Sequence, residues 1–399
     1  MATLSAVEWI ALYSRSGISA YRVCPERLSN GDDNQIAIHI DNTYPHIIHL
    51  EVIDEIPIIF QARHINFKAR IKPKRTKVIT YKLRPTQRGE YPFGKTRIFA
   101  GTLIGFIQRR YSINTEYSTK VYPSFIKLKQ YELLTIKNNH TQYGIKKVRR
   151  IANKTEFEQI KEYVKGDEYR HINWKASARM SKLMTNVYQD ERSQQVYCVI
   201  DKGRTMQHSF RRMTMLDYAI NSALALSYIA TKKDDKAGLI TLGTTVETTL
   251  LPNRGEAQVQ AISQALYNEK ATFTDSDYEE LYIYVKRKIN KRSLLVIYTD
   301  FASVETMARQ IKFLKQIAKM HKVLVIIFKD DEIDELIKSK ANKESLMYSK
   351  VIAEKYMSDK QKVISTLRQN NIAAIISSPE QLSVNVINKY LEIKSAGQI

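Results

Sequence analysis

The sequence predicts an all-β unit followed by an α/β unit: an N-terminal antiparallel β-sandwich, then a doubly wound domain on a mostly parallel sheet. Three observations carry this. Apolar residues alternate with others from Tyr21 to about residue 125, the period of strands with one buried face. From Val196 the rhythm changes to short apolar strands separated by helical patterns, which implies a parallel sheet covered on both faces. Between them lies a dense polar and aromatic stretch, Gly166 to Thr205, that ends in an apolar strand, Tyr197 to Ile200, running into Asp201 and a glycine. A buried strand with a polar residue at its carboxyl end is how open α/β sheets commonly place a site.

The elements follow in order. Residues 1–20 form a short N-terminal segment, with one or two amphipathic turns at Val7 to Leu12. The sandwich occupies residues 21–125. Its strands are marked by Ile36, Ile38 and Ile40; by Ile48, Leu50 and Val52; by Ile65, Phe67, Ala69 and Ile71; and by Ile79, Tyr81 and Leu83. Turn signals at Asn30-Gly31-Asp32, Asn42 to Pro45, Lys72-Pro73 and Arg88-Gly89 separate them. Eight Lys or Arg residues lie between Lys68 and Arg84 without an acid among them, and a solvated edge that resists strand pairing is the reading adopted. Residues 126–190 connect the units. Thr155 followed by Glu158 reads as a capping box, predicting a short helix to about Tyr163 that Gly166 ends; such a helix puts Glu158 and Glu162 on one face. Leu183 to Gln189 alternates as a strand. The α/β domain occupies residues 191–399, with strands at 196–200, 238–243, 293–299, 322–328 and 372–377 and an antiparallel edge strand at 245–251. Met215 to Ile229 is its clearest helix, with Leu216, Ile220, Ala223, Leu224 and Ser227 as the packed stripe. A closing helix runs to about Ile393, with Ser378 as cap and Pro379 at its first position.

Composition bounds the function classes. The chain has 399 residues, 43% apolar and 26% charged, which suits two or three globular domains. Its net charge of +22 favours acidic partners: anionic lipid, nucleic acid or an acidic protein face. Two distant cysteines, Cys24 and Cys198, suggest neither a disulfide framework nor a zinc site, and a reducing compartment fits. No run has the length of a membrane-spanning helix, and the N-terminus lacks a signal-peptide pattern. No phosphate-binding glycine loop is present, and the aromatics do not interleave with basic residues as a nucleic-acid module requires.

The segment Glu156-Phe157, Glu162-Tyr163, Gly166-Asp167, Arg170, Ile172 to Lys175 and Ala178-Arg179 resembles the signature of the bacterial family called domain of unknown function 58. The chain after it resembles the von Willebrand factor A-like domain that this family carries, with Arg292 to Leu295, Thr299-Asp300 and the strand start at His321 also similar. So is the region from Arg88-Gly89 to Gly105. The resemblance implies a MoxR-type AAA+ ATPase as partner, in an assembly at the cytoplasmic membrane. Members usually begin with two membrane-spanning helices, which this sequence lacks; the reading is membrane association through an anchor absent here, with this form soluble. It also implies a metal site. Such domains usually hold a divalent cation with an Asp-x-Ser-x-Ser loop, a distant threonine and a distant aspartate. Here the loop reads Asp201-Lys202-Gly203-Arg204-Thr205; Thr272 or Thr274 stands for the threonine and Asp300 for the aspartate.

Two sets of residues therefore compete for chemistry. Asp201, Thr205, Thr274 and Asp300 would form a degenerate site, weak for Mg²⁺, because Gly203 removes one hydroxyl and Arg204 places a cation beside it. The alternative is aspartates that cap helices or pair with bases. Glu156, Glu162, Gly166, Asp167, Arg170, Asn173, Trp174 and Arg179 would form a buried polar seam between the domains, with Arg suited to bidentate pairing. A catalytic cluster is the alternative, but His171 and Ser177 lie in no elbow motif. The resulting reading is a non-enzymatic interaction protein with no cofactor or weak Mg²⁺; a metal-dependent enzyme at the same edge and a basic nucleic-acid binder are the rivals.

Overall fold

The computed structural model describes residues 2–60, 66–136, 156–164, 169, 172–189, 193–301, 303–339 and 344–397. Helix α1 (Ala2–Tyr13) precedes ten strands: β1 (Ile18–Val23), β2 (Arg27–Ser29), β3 (Asn34–Asn42), β4 (Ile48–Asp54), β5 (Asn66–Ile71), β6 (Arg75–Leu83), β7 (Gly89–Phe93), β8 (Thr96–Gly101), β9 (Gln108–Ile113) and β10 (Tyr117–Tyr122). They form three sheets, ordered β1-β3-β6, β5-β4-β8-β9 and β2-β10-β7, antiparallel except for the β2–β10 pair. The alternation read from the sequence is the packing: Ile36, Ile38, Ile40, Ile48, Leu50, Val52 and Leu83 share one buried core with Phe93, Ile98 and Val121. Ile65, one of the predicted inward residues, lies outside the described residues.

Helix α1 closes one end of this core. Leu12 is buried in it, and Tyr44 reaches back to donate its hydroxyl to the Leu12 carbonyl at 2.6 Å. Gly17 leaves room for that ring, since a Cβ there would lie 2.5 Å from it. Glu8 points inward and accepts hydrogen bonds from the Thr102 hydroxyl and from the N–H groups of Gly105, Phe106 and Ile107. One carboxylate thus fixes the helix to the β8–β9 loop.

Helix α2 (Ile126–Ile136) follows. The sequence reading treated these residues as part of a polar connection; instead Leu128 enters the α/β core and Tyr228 donates to Glu132. Strand β11 (Glu156–Glu162) stands where a helix was expected. It pairs antiparallel with β12 (Met184–Gln189), across a bulge between Phe157 and Gln159. The strand expected near 183–189 needed a hydrogen-bonding partner, and that tertiary demand overrides a local capping signal. Between them lies the short helix α3 (Trp174–Met180).

The C-terminal sheet comprises β13 (Gln195–Asp201), β16 (Lys236–Leu242), β17 (Val246–Asn253), β18 (Leu294–Thr299), β19 (Lys322–Phe328) and β20 (Ala373–Ser377), and β14 (Ser209–Phe210) with β15 (Met213–Thr214) makes a separate small ribbon. The order is β17-β16-β13-β18-β19-β20, parallel except for β17. Alternate residues of β13 enter two cores: Val196, Cys198 and Ile200 face α4 (Met215–Lys232), α5 (Glu256–Leu266) and α10 (Leu382–Ser395), whereas Tyr197 and Val199 face α6 (Tyr278–Lys288), α7 (Val304–Met320) and the end of α9 (Glu344–Gln369). Helix α8 (Asp331–Lys338) packs on α9. The closing helix begins later than expected, because Ser378 instead makes a turn whose carbonyl accepts from Gln381 N–H.

Among the described residues, the seam between the units is made by residues other than those of the expected motif. Arg88, in the sandwich, donates Nε to Asp217 Oδ1 at 2.7 Å and its other nitrogens to the carbonyls of Leu266 and Glu269. Asp217 also takes Asn30 Nδ2 at 3.3 Å and completes the capping box of α4 with Thr214. Asn221 on α4 accepts from Ser124 N–H at 2.8 Å. Trp174, expected to be buried here, is 70% exposed.

Two outcomes follow. Arg88→Met leaves Asp217 buried without its counter-charge and costs about 3–5 kcal/mol in denaturant melts, whereas Trp174→Ala changes stability by less than about 0.5 kcal/mol, as for a surface site; equal effects would show that the seam lies elsewhere. The Thr102 hydroxyl first, and the loop N–H groups with it, hold the Glu8 carboxyl below its ordinary value against burial. A lowered folded-state pKa means the contribution is complete above the unfolded value and disappears as pH falls through the folded one. Glu8→Gln therefore lowers the melting temperature at neutral pH, and the gap from wild type closes on acidification; a gap independent of pH would refute this role.

Candidate functional site: the carboxyl edge of the α/β sheet

The strand order reverses between β13 and β18, so the chain leaves their carboxyl ends in opposite directions and opens a crevice there. Asp201 is the last residue of β13, and Asp300 follows β18. Both are buried.

Each carboxylate is already served by protein donors. Asp201 Oδ1 accepts from Gly203 N–H at 2.8 Å and from the Ser276 hydroxyl. Its Oδ2 accepts from Thr299 Oγ1 at 2.6 Å, with the Tyr278 hydroxyl 3.1 Å away. Burial first, and the Asp201 charge second, push the Tyr278 phenol well above its ordinary value, so it stays protonated as a donor. Asp300 Oδ1 pairs with Lys360 Nζ at 2.7 Å, and that ammonium also donates to the Phe328 carbonyl. Burial pushes the Asp300 carboxyl up against the pull of Lys360. Burial opposes the charge on Lys360 too, but Asp300 and Tyr356 outweigh it and the amine is held above its ordinary value.

The expected metal set does not assemble. Thr274 is exposed and donates to Thr272 Oγ1 at 3.2 Å, while Thr272 donates to the Lys202 carbonyl at 3.1 Å. Thr205 lies in a 3₁₀ turn, Arg204–Gln207, half-buried. The hydroxyls that reach Asp201 come from Ser276, Thr299 and Tyr278. A side chain at Gly203 would be crowded: a Cβ there would sit 2.9 Å from Ser276 Oγ and 3.0 Å from Asp201 Oδ1. Arg204, expected to repel a cation, turns to solvent and lies 3.7 Å from Asp275. Lys360 does what was ascribed to it. A divalent ion about 5 Å from that ammonium, at an effective dielectric near 20, is repelled by about 6–7 kcal/mol. The ammonium on Asp300 and the donors already on Asp201 disfavour a Mg²⁺ ion between them, and among the described residues there is no group of three or more His, Cys, Asp or Glu side chains that could hold a metal ion. Sequence reasoning missed Lys360 because it lies 60 positions from Asp300, on α9, and a lone lysine on a helix has no signature.

A second charge cluster borders the first. Lys202, buried, pairs with Glu247 and with Glu269 Oε2, the latter at 2.6 Å, and Thr248 donates to Glu269 Oε1 at 2.6 Å. Burial disfavours its charge, but the two carboxylates prevail and hold the amine above its ordinary value. Around these closed centres the rim is open: Phe273, between the two threonines, is 85% exposed beside Arg204 and Asp275.

The family-motif residues lie apart from this edge in role. Asn173 caps α3, its Oδ1 accepting from Ala176 N–H at 3.0 Å. Glu162 is exposed and pairs with Lys182 at 3.3 Å, and Arg179 is exposed in the last turn of α3. Glu156 begins β11, and Trp174 begins α3 at the surface. Gly166, Asp167 and Arg170 lie outside the described residues.

Lys360→Met leaves a buried carboxylate unpaired and should cost about 3–5 kcal/mol, much of it recovered by adding Asp300→Asn. Calorimetric titration of the wild type with Mg²⁺ and Mn²⁺ should show no micromolar site. Micromolar binding lost in Asp201→Ala would overturn this account of the edge.

Residues 159–339 match the family model described as protein of unknown function DUF58. The chain is also similar to the uncharacterized protein YeaD of Bacillus subtilis strain 168, 27% identical over 131 residues, which is 32% of each chain; the match spans about a third of that relative's length. Among solved structures, the CARDB domain of the PF1109 protein from Pyrococcus furiosus is 15% identical, covering 27% of this chain and 94% of its own at a TM-score of 0.20. Proximal thread matrix protein 1 from the mussel byssus is 8% identical, covering 51% of this chain and 47% of its own at a TM-score of 0.30. At those scores neither structure bears on fold or function. What the comparisons establish is that the central part of this chain, from β11 through α8, is similar to the DUF58 family.

Proposed function

We propose that this chain is a non-enzymatic interaction protein that presents the carboxyl edge of its von Willebrand factor A-like domain to a protein partner at the cytoplasmic face of a bacterial membrane. The observation that carries the reading is the closure of the edge: Asp201 is held by hydroxyl and amide donors, Asp300 by Lys360, and Lys202 by Glu247 and Glu269. Groups committed to one another in this way offer no free base, nucleophile or cation ligand. They make a rigid platform instead, with Phe273 standing out from its rim. Exposed aromatic anchors beside charged groups are typical of interface centres. By the resemblance, a partner would complete the ion's shell in a metal-bearing edge of this type; here Lys360 supplies a positive charge from within. The family resemblance makes a MoxR-type AAA+ ATPase the partner to test first.

A metal-dependent enzyme at this edge is disfavoured by the donor set, and nucleic-acid binding has only the net charge behind it. The experiment is retention of a purified MoxR-type ATPase on the immobilised chain, with and without nucleotide. Phe273→Ala should lower retention by about tenfold or more, the effect of truncating an interface anchor, and leave the melting temperature unchanged. Retention that is absent in the wild type, or equal in the variant, would overturn the reading.

A further inference from the structure

One end of the sandwich gathers α1, the loops 14–17, 43–47 and 102–107, and the turn 72–74. The strand registers place them together: Ile18 lies opposite Asn42, Ile48 opposite Ile71, and His49 opposite Gly101. Asn42 Nδ2 binds the carbonyl of Lys72 at 3.1 Å, and Tyr44 binds those of Leu12 and Arg15, so these segments form one connected surface.

Apolar side chains face outward there. Trp9 is 56% exposed, Ile10 60% and Leu103 73%, with Val7, Ile104 and Phe106 also exposed. Trp9 stacks on Tyr13 at 5.6 Å. The one acidic or basic residue of α1 is Glu8, and it is turned inward onto the 102–107 loop. The outward face of the helix therefore carries no charge at all, and the same carboxylate locks helix and loop into a single apolar surface. In water such a surface is costly, and contiguous apolar patches mark contact sites.

The charges flanking this patch are predominantly basic, with Asp41 the acid among them. Arg15, Arg70, Lys72, Lys74 and Arg75 are exposed at this end of the sandwich. They include half of the acid-free basic run between Lys68 and Arg84 that the sequence singled out. Asp41, opposite Thr76 on the neighbouring strand, accepts that residue's hydroxyl at 2.5 Å. A protein interface is usually rimmed by polar groups of both signs, whereas tryptophan, leucine and isoleucine bordered by arginine and lysine are the composition of surfaces that rest in the headgroup layer of a bilayer.

We propose that this end of the sandwich is a bilayer-docking surface, with Trp9, Ile10, Leu103 and Phe106 seated at headgroup level and the basic turn held by anionic lipid. The inference deepens the membrane placement given above and uses no residue of the carboxyl edge.

The test is sedimentation of the full chain with phosphatidylcholine vesicles, with and without phosphatidylglycerol, at low and high salt. The chain should sediment with the phosphatidylglycerol vesicles and less so at high salt, as basic residues near an anionic surface require. Trp9→Ser combined with Leu103→Ser should weaken binding about tenfold. Lys72→Glu with Lys74→Glu should remove the preference for phosphatidylglycerol. In a Trp174→Phe background Trp9 is the one tryptophan left, and its emission should shift to the blue on adding these vesicles, a readout that needs no change within the patch. Phe273→Ala should bind vesicles as the wild type does, which separates this surface from the partner-binding edge. Absence of sedimentation, an unshifted Trp9 emission, or self-association that replaces vesicle binding and is lost in the Trp9 variant would each overturn the proposal.

Discussion

The ion pair between Arg88 and Asp217 is the contact on which the arrangement of the molecule turns. Both side chains are almost wholly enclosed, so neither charge is tolerable without the other. Asp217 is at the same time the third residue of α4 and half of its capping box. One carboxylate therefore starts the central helix of the α/β domain and receives the sandwich. Arg88 uses its remaining donors on the carbonyls of Leu266 and Glu269, which ties the seam to the end of α5. Because Glu269 also holds Lys202, the seam continues without a break into the carboxyl edge. The orientation of the two units and the geometry of the candidate site share one set of polar contacts.

That continuity explains the character of the edge. A crevice at the reversal point of an open sheet is where such folds commonly bind ligands, and two aspartates at adjacent strand ends would ordinarily repel. Here each is neutralised from a different direction: Asp201 by hydroxyl and amide dipoles, Asp300 by an ammonium delivered from α9. Fixed internal partners cost no reorganisation and leave the rim free to vary. Phe273 and Arg204, rather than the aspartates, are what another molecule would meet.

The sandwich was largely legible because its strands have one buried face, so the period of two appears directly in Ile36, Ile38 and Ile40 and in Ile48, Leu50 and Val52. The central strands of the α/β sheet were legible for the opposite reason: buried on both faces, they read as unbroken apolar runs such as Leu294 to Tyr298. The failures lie where a residue's state depends on something far away in the chain. Glu156 to Glu162 carries a helical start signal and forms a strand because Met184 to Gln189 pairs with it. Trp174 looked like a core residue by chemistry alone, and α3 leaves it at the surface.

Sequence by itself determined the two units, their order, the strands at whose ends Asp201 and Asp300 stand, and the positive charge of the whole. Each of these depends on local periodicity or on composition, which a linear reading contains. Only the tertiary structure decided what surrounds the aspartates and what joins the units. Lys360 reaches Asp300 across 60 positions, Ser276 reaches Asp201 across 75, and Arg88 reaches Asp217 across 129. Pairings at such separations follow from the crossing of helices and strands in space, and no spacing rule along the chain encodes them. The same holds for Glu8: its sequence context is an ordinary helix, and only the approach of the 102–107 loop turns its carboxylate inward and leaves an uncharged face outside.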